Sequence, residues 1–299
     1  MKKWLTYTLL GGVAFVAVAG AALMVGGIAL AERKAHRAVD VPTVALTLPG
    51  DEASLARGRY LFASRGCAEC HGASGGGRVF AGDGKSLVLK SPNITRGPGG
   101  VVANYLAQDW VRTIRHGVKP NGEPAFIMPS EDYARWTDAD AAAVAAYAQQ
   151  LPPVAGEGAQ FRLPLPMKAL YGWGVIKDAA EKIDHALPAP APVAEAVTVE
   201  HGAYVANMCR GCHGPDLSGG KRAGQPPDWP APARLAPGPD SVMERYPDAP
   251  SFVAMLRSGL RPDGSRIDKA MPFQTLGALS DVDASALHLY LQSLKARAD

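Results

Sequence analysis

An internal repeat constrains this chain more than any other feature. Cys67-Ala68-Glu69-Cys70-His71 returns 142 residues later as Cys209-Arg210-Gly211-Cys212-His213. At an offset of 142 to 143 residues, Arg115-His116-Gly117 returns as Arg257-Ser258-Gly259, Met128-Pro129 as Met271-Pro272, Thr137-Asp138 as Ser280-Asp281, and Tyr147 as Tyr290. Self-similarity at a fixed offset implies two copies of one folding unit. The 299 residues are enough for two domains that each bury a core.

Each copy carries the same helical plan. A first helix, around Ser54 to Ser64 and again around Glu200 to Met208, runs into the cysteine pair. A second starts with Asp109 as N-cap and stops at Gly117; its counterpart runs from about Pro250 to Gly259. The last starts at Thr137 with Asp140 in its first turn, and in the second copy at Ser280 with Asp283. Its apolar stripe is Val144, Tyr147, Ala148, Leu151 in one copy and Leu287, Tyr290, Leu291, Leu294 in the other, the spacing of a buried helix face. No stretch alternates as strands do, so the fold class is all-α. The 33 glycines and 25 prolines, about a fifth of the chain, predict long ordered loops around short helices.

Cys-x-x-Cys-His is the attachment signature of c-type haem: two thiols add to the haem vinyl groups and the adjacent histidine lies under the iron. A thioredoxin-like motif needs a βαβ setting that is absent here. A zinc ribbon pairs its cysteines at about 15–20 residues, whereas 138 residues separate Cys70 from Cys209. A disulfide framework gives no reason for a histidine after each pair. Two covalently bound haem c groups follow, held by Cys67, Cys70 and His71 and by Cys209, Cys212 and His213.

A sixth iron ligand must recur in both copies. Met128, 57 residues after His71, and Met271, 58 after His213, do so, each followed by proline. A thioether is a soft neutral ligand that favours ferrous iron; the competing reading is that both methionines fill core. Met167, Met208, Met243 and Met255 do not recur. His116 is replaced by Ser258 in the second copy and is read as packed or hydrogen-bonded, as are the unmatched His36, His185, His201 and His288 as structural or exposed.

Trp4 to Ala31 is free of charge and, at about 1.5 Å per residue, reaches roughly 42 Å, enough to cross a bilayer core of ~30 Å. The alternative is a cleaved signal peptide, since Ala29-Leu30-Ala31 has the form of a processing site. Lys2, Lys3, Arg33, Lys34 and Arg37 against Glu32 and Asp40 account for the whole net charge of +3. The rest is balanced, which excludes a basic nucleic-acid-binding face. The expected domains are 1–32, a transmembrane anchor or signal peptide; 33–50, a linker; 51–153, a first domain; 154–198, an inter-domain segment; and 199–299, a second domain. The run Leu187 to Pro192 reads as a polyproline II spacer, and residues 167–186 are expected to pack on the first domain.

The first copy carries Arg57-Gly58-Arg59-Tyr60-Leu61, Ser91-Pro92-Asn93-Ile94-Thr95, Asp109-Trp110-Val111-Arg112, Ile114-Arg115-His116-Gly117-Val118, Met128-Pro129-Ser130 and Leu151-Pro152-Pro153-Val154. In these it resembles the cytochrome c subunits of membrane-bound alcohol, gluconate and related dehydrogenases. The second copy, with Leu217-Ser218-Gly219-Gly220, Arg261-Pro262-Asp263-Gly264 and Ala270-Met271-Pro272, is similar to another class I cytochrome c domain. The likeness covers about residues 51–297. It implies a class I cytochrome c fold in each domain, an exposed haem edge, and His71, Met128, His213 and Met271 as axial ligands. Two departures stand out. The family's subunits usually carry three haems and a C-terminal anchor, against two haems and an N-terminal apolar run here; and Asn93, close to haem in the family motif, aligns with Arg234.

The function expected is that of an electron carrier rather than an enzyme, with no catalytic residues. It would be anchored in a bacterial inner membrane by a single pass with both haem domains periplasmic, because haem attachment is completed outside the cytoplasm. Its partners would be the membrane, a respiratory or dehydrogenase electron donor, and an oxidase or soluble cytochrome as acceptor. Alternatives are a cytochrome subunit of a terminal oxidase or quinol-oxidising complex, and a dihaem peroxidase, which needs an open iron site.

Overall fold

Helix α1 (Lys2–Ala35) opens the chain in the computed structural model, which describes residues 2–42, 46–221, 225 and 229–294. Parts of the expected linker (43–45) and second domain (222–224, 226–228, 295–299) lie outside the described residues. The first domain contains α2 (Glu52–Ser64), α3 (Cys67–His71), α4 (Ala107–His116), α5 (Ser130–Tyr133) and α6 (Asp138–Gln149). After it comes α7 (Leu165–Gly172). The second domain contains α8 (Val199–Val205), α9 (Asn207–His213), α10 (Ala249–Ser258), α11 (Phe273–Gly277) and α12 (Asp281–Ser293). Residues 188–195, which hold most of the Ala-Pro run, form neither helix nor strand.

The all-α reading holds with one addition. Three short strands, β1 (Val79–Gly82), β2 (Val88–Lys90) and β3 (Gln160–Arg162), form an antiparallel sheet in that order at the edge of the first domain. Strands of three or four residues are too short to show alternation, and β3 pairs with β2 from beyond the last helix of that domain.

Local chemistry starts and stops the helices. Thr137 and Ser280 cap α6 and α12, accepting from the N–H of Asp140 and Asp283 at 3.1 Å each. Asp109 is not the N-cap of α4: it is the third residue of the helix, and its carboxylate accepts from Leu106 N–H at 2.9 Å. A residue that satisfies the first turn from inside the helix has the same composition signal as a cap, which is why the two are confused in sequence. Gly117 and Gly259 end α4 and α10 in the left-handed conformation.

One helix crossing organises each core. Helix α2 lies on α6 and α8 on α12, and both crossings close on a glycine. A Cβ at Gly58 would stand 2.1 Å from the carbonyl oxygen of Ala143, and one at Gly202 1.9 Å from that of Ala286. Around the first crossing Leu61, Phe62, Trp110, Ile114, Val144 and Leu151 are buried; around the second, Val205, Leu217, Phe252, Leu256, Leu287 and Leu291. Each such side chain contributes about 1.5–3 kcal/mol of transfer free energy.

The domains then pack on one another through equivalent residues. Tyr60 on α2 donates to Asp283 Oδ2 at 2.6 Å and accepts from Ser280 N–H at 3.0 Å. Tyr204 on α8 donates to Asp140 Oδ2 at 2.7 Å and accepts from Thr137 N–H at 3.2 Å. Each domain thus places a tyrosine over the N-terminus of the other's last helix, a reciprocal arrangement of the kind a two-fold axis produces.

Candidate haem-binding sites

In both domains the helix that carries Cys-x-x-Cys-His follows the first core helix almost directly. Arg65 and Gly66 separate α2 from α3, and Ala206 alone separates α8 from α9. The histidines are then oriented by equivalent backbone carbonyls. His71 Nδ1 lies 3.0 Å from Pro92 O, and His213 Nδ1 lies 2.7 Å from Ala233 O. A donor at Nδ1 fixes the tautomer whose Nε2 lone pair is free, the form that could hold a haem iron. Burial holds the His71 imidazole below its ordinary pKa, favouring the neutral, ligating form. Burial also pushes three of the thiols up, Cys67 and Cys209 to about 12 and Cys70 to about 11, so none of these three is a ready thiolate. Among the described residues there is no disulfide.

Cys67, Cys70, His71 and Met128 all line one cavity of about 1000 Å³ in the first domain. Its remaining wall is largely apolar and aromatic, with Phe62, Ile94, Tyr105, Trp110, Ile114 and Val144. The residues fit a haem on two counts. The soft sulfur and imidazole donors share one apolar chamber, and the indole Nε1 of Trp110, buried there, has no partner within the protein, as a donor awaiting a propionate would. In the second domain Cys209 and Met271 border the same apolar core, and Arg234 Nε is a buried donor without a protein partner. Arg234 takes the place of Asn93, which in the first domain instead ties the loop by donating to Val154 O at 2.8 Å and accepting from Thr95 N–H at 2.9 Å.

The histidines outside these sites have other partners. His116 and His185 meet through their Nδ1 atoms at 3.0 Å, and burial with nearby positive charge brings His116 down to about 4. His36 contacts Glu123, His201 contacts Asp283, and His288 Nε2 contacts the carbonyl of Tyr246.

Sequence reasoning missed how close the two sites are. Helix α5, which follows Met128-Pro129, packs on α9 of the other domain, and α11, which follows Met271-Pro272, packs on α3. At the first of these contacts the Gly211 N–H, inside the second Cys-x-x-Cys-His, donates to Asp132 Oδ1 at 2.9 Å. Burial and neighbouring Glu131 raise the Asp132 carboxyl above its ordinary range. No local pattern marks Asp132; its partner lies 79 residues away.

Residues 53–147 match the family model described as cytochrome C oxidase, cbb3-type, subunit III, and residues 199–295 match the one described as cytochrome c. The chain carries two tandem cytochrome c-type domains. Relatives extend the likeness across both cytochrome domains. The cytochrome c subunit of an alcohol dehydrogenase (quinone) from Gluconobacter oxydans (strain 621H) is 29% identical over 285 residues, covering 82% of this chain and 56% of that one. The fructose dehydrogenase cytochrome subunit of Gluconobacter japonicus is 29% identical over 148 residues, 46% of this chain and 30% of that one. The gluconate 2-dehydrogenase cytochrome c subunit of Pantoea cypripedii is 32% identical over 126 residues, 39% and 28% respectively. The chain thus spans little more than half the length of that alcohol dehydrogenase subunit and less than a third of the other two. Cytochrome c domains imply electron transport with haem iron.

Proposed function

We propose that this chain is a membrane-anchored dihaem electron carrier, the cytochrome component of a respiratory dehydrogenase system. In each domain the two cysteines hold one haem c through thioether bonds, Cys67 and Cys70 in the first, Cys209 and Cys212 in the second. His71 with Met128, and His213 with Met271, ligate the irons. Haem supplies a reversible one-electron couple; the chain's own residues orient the imidazoles, exclude water and hold the two sites together. The observation that carries the reading is the reciprocal packing of each Met-Pro helix on the other domain's attachment helix. Electrons entering at one site therefore have the second as nearest neighbour.

The relatives' names make a dehydrogenase subunit the donor of choice, with an oxidase or soluble cytochrome as acceptor. Both domains lie on the periplasmic side of an inner membrane crossed once by α1. A second reading, subunit of a terminal oxidase, is favoured by the description of the family that residues 53–147 match. Copurification in mild detergent separates the two, the first reading predicting a dehydrogenase and the second an oxidase.

A peroxidase needs one open iron, and two equivalent Met-Pro motifs leave neither copy visibly altered for that task. Mixing the reduced protein with carbon monoxide, and separately with peroxide, tests this. A carrier shows no rapid binding at either haem and no turnover; stoichiometric binding at one haem with catalytic peroxide consumption overturns the proposal.

A further inference from the structure

Helix α7 is an unusual surface element. From Leu163 to Ile176 its segment has one charged residue, Lys168, and that is paired with Glu32 of α1. Yet Leu165 is 60% exposed, Leu170 43%, Trp173 50% and Val175 50%. An apolar, nearly uncharged surface of this kind is costly in water and marks a contact with something apolar.

Where α7 sits names the contact. From Trp4 to Leu23 every described side chain of α1 is exposed except that of Ala19. Those 20 residues span about 30 Å, the thickness of a bilayer's hydrocarbon core. Protein cover begins at Met24, and α7 provides it. A Cβ at Gly27 would stand 2.6 Å from Trp173 Nε1 and 2.8 Å from the Cβ of Ala169; one at Gly172 would stand 1.9 Å from the Gly27 carbonyl oxygen. The two helices meet backbone to backbone at Gly27, about 6 Å beyond the end of the bare span.

That level is held by polar ties. Lys34 Nζ donates to the carbonyls of Tyr171 at 2.9 Å and Ile176 at 3.2 Å. Arg37 grips the buried carboxylate of Asp178 at 2.5 and 2.9 Å, and Tyr171 donates to the same group at 2.9 Å. Trp4 and Tyr7, both exposed, mark the other end of the span, about 33 Å from Gly26 along the helix. Aromatic residues at both ends of an apolar span are the pattern of the two membrane–water interfaces.

We propose that Leu165 to Val175 form a second membrane-contacting element, lying in the headgroup region of the leaflet from which α1 emerges. The proposal rests on the reading of α1 as a membrane anchor. Its occupant is the lipid interface, since the exposed apolar residues belong to a helix packed on α1 just beyond the bare span. Tyr171 stacks edge-on with Phe126 at 5.0 Å and lines the first haem cavity, so the element also fixes that cavity next to the bilayer. The sequence expectation that residues 167–186 pack on the first domain is half the picture: Ala179 N–H donates to Ala125 O at 3.1 Å, but α7 itself lies on α1.

The test uses the full-length holoprotein in phosphatidylcholine–phosphatidylglycerol vesicles. Single variants Leu170→Cys and Val175→Cys, with Val13→Cys and Leu260→Cys as references, are spin-labelled and their collision rates with oxygen and a nickel chelate compared. All four positions are exposed, so folding is not at stake. The expected oxygen-to-nickel ratio at 170 and 175 lies below that at 13 and above that at 260. A ratio at 170 and 175 equal to that at 260, while 13 reads as hydrocarbon, overturns the proposal and leaves the anchor intact. Shielding of 170 and 175 from both reagents overturns it in favour of a protein partner. A water-like ratio at 13 defeats the anchor reading itself, and the proposal with it.

Discussion

Replacing Asp283 by asparagine tests the clasp between the domains. Its side chain is fully buried and accepts from Tyr60 at 2.6 Å, His201 at 2.6 Å and Arg65 at 2.5 Å. The Arg65 side chain is only 3% exposed. Removing the charge leaves a guanidinium buried without a counterion, a change that costs about 3–5 kcal/mol. At roughly 2–4 °C per kcal/mol for a unit of this size, the melting midpoint falls by about 6–20 °C. Asp140→Asn is the internal control, because it occupies the equivalent place. Its partner Arg57 is 25% exposed and also reaches Glu195 at 3.2 Å, so that charge stays solvated and paired. The expected cost there is on the order of 1 kcal/mol. Thermal melts of the holoprotein, followed by haem absorbance and circular dichroism, measure both. If the two variants differ by less than about 0.5 kcal/mol, the argument from burial is refuted.

The same carboxylate sets a pH dependence. Burial alone would raise its pKa, but Arg65, together with hydrogen bonds from Tyr60, Arg65 and His201, outweighs burial and holds it below the ordinary range. Its stabilisation is therefore complete above an ordinary carboxylate pKa of ~4 and is lost as pH falls through the lower folded value, so the gap between native and Asp283→Asn midpoints should be flat from neutrality to about pH 5 and close only in acid. Met128→His or Met271→His should keep both haems attached while lowering one midpoint in a redox titration, since axial ligands shift haem potentials over ~0.8 V; two unmoved midpoints would remove both methionines from the irons. Gly58→Ala and Gly202→Ala each force a Cβ onto a backbone carbonyl and should cost about 1–3 kcal/mol in the domain concerned, measured by the same melts. Intact mass of membrane-extracted protein, after subtracting two haems, should include residues 1–31; a mass starting at Glu32 would identify a cleaved leader.

Local features of the sequence determine local features of the molecule. The two Cys-x-x-Cys-His motifs need only five consecutive residues each, the caps at Thr137 and Ser280 only four, and the apolar stripes of α6 and α12 only two helical turns. An offset of 142 to 143 residues then makes the two domains copies, without any knowledge of how they meet. The tertiary structure alone decided the rest. Tyr60 finds Asp283 across 223 positions, Lys34 finds Tyr171 across 137, and β3 finds β2 from outside its domain. Tyrosine, lysine and aspartate at such places look like ordinary solvated residues, because periodicity reports which face of an element is buried and not which element covers it. Only the packed chain shows that the helix after each Met-Pro rests on the other domain's Cys-x-x-Cys-His helix, since that contact is made between segments with no pattern in common.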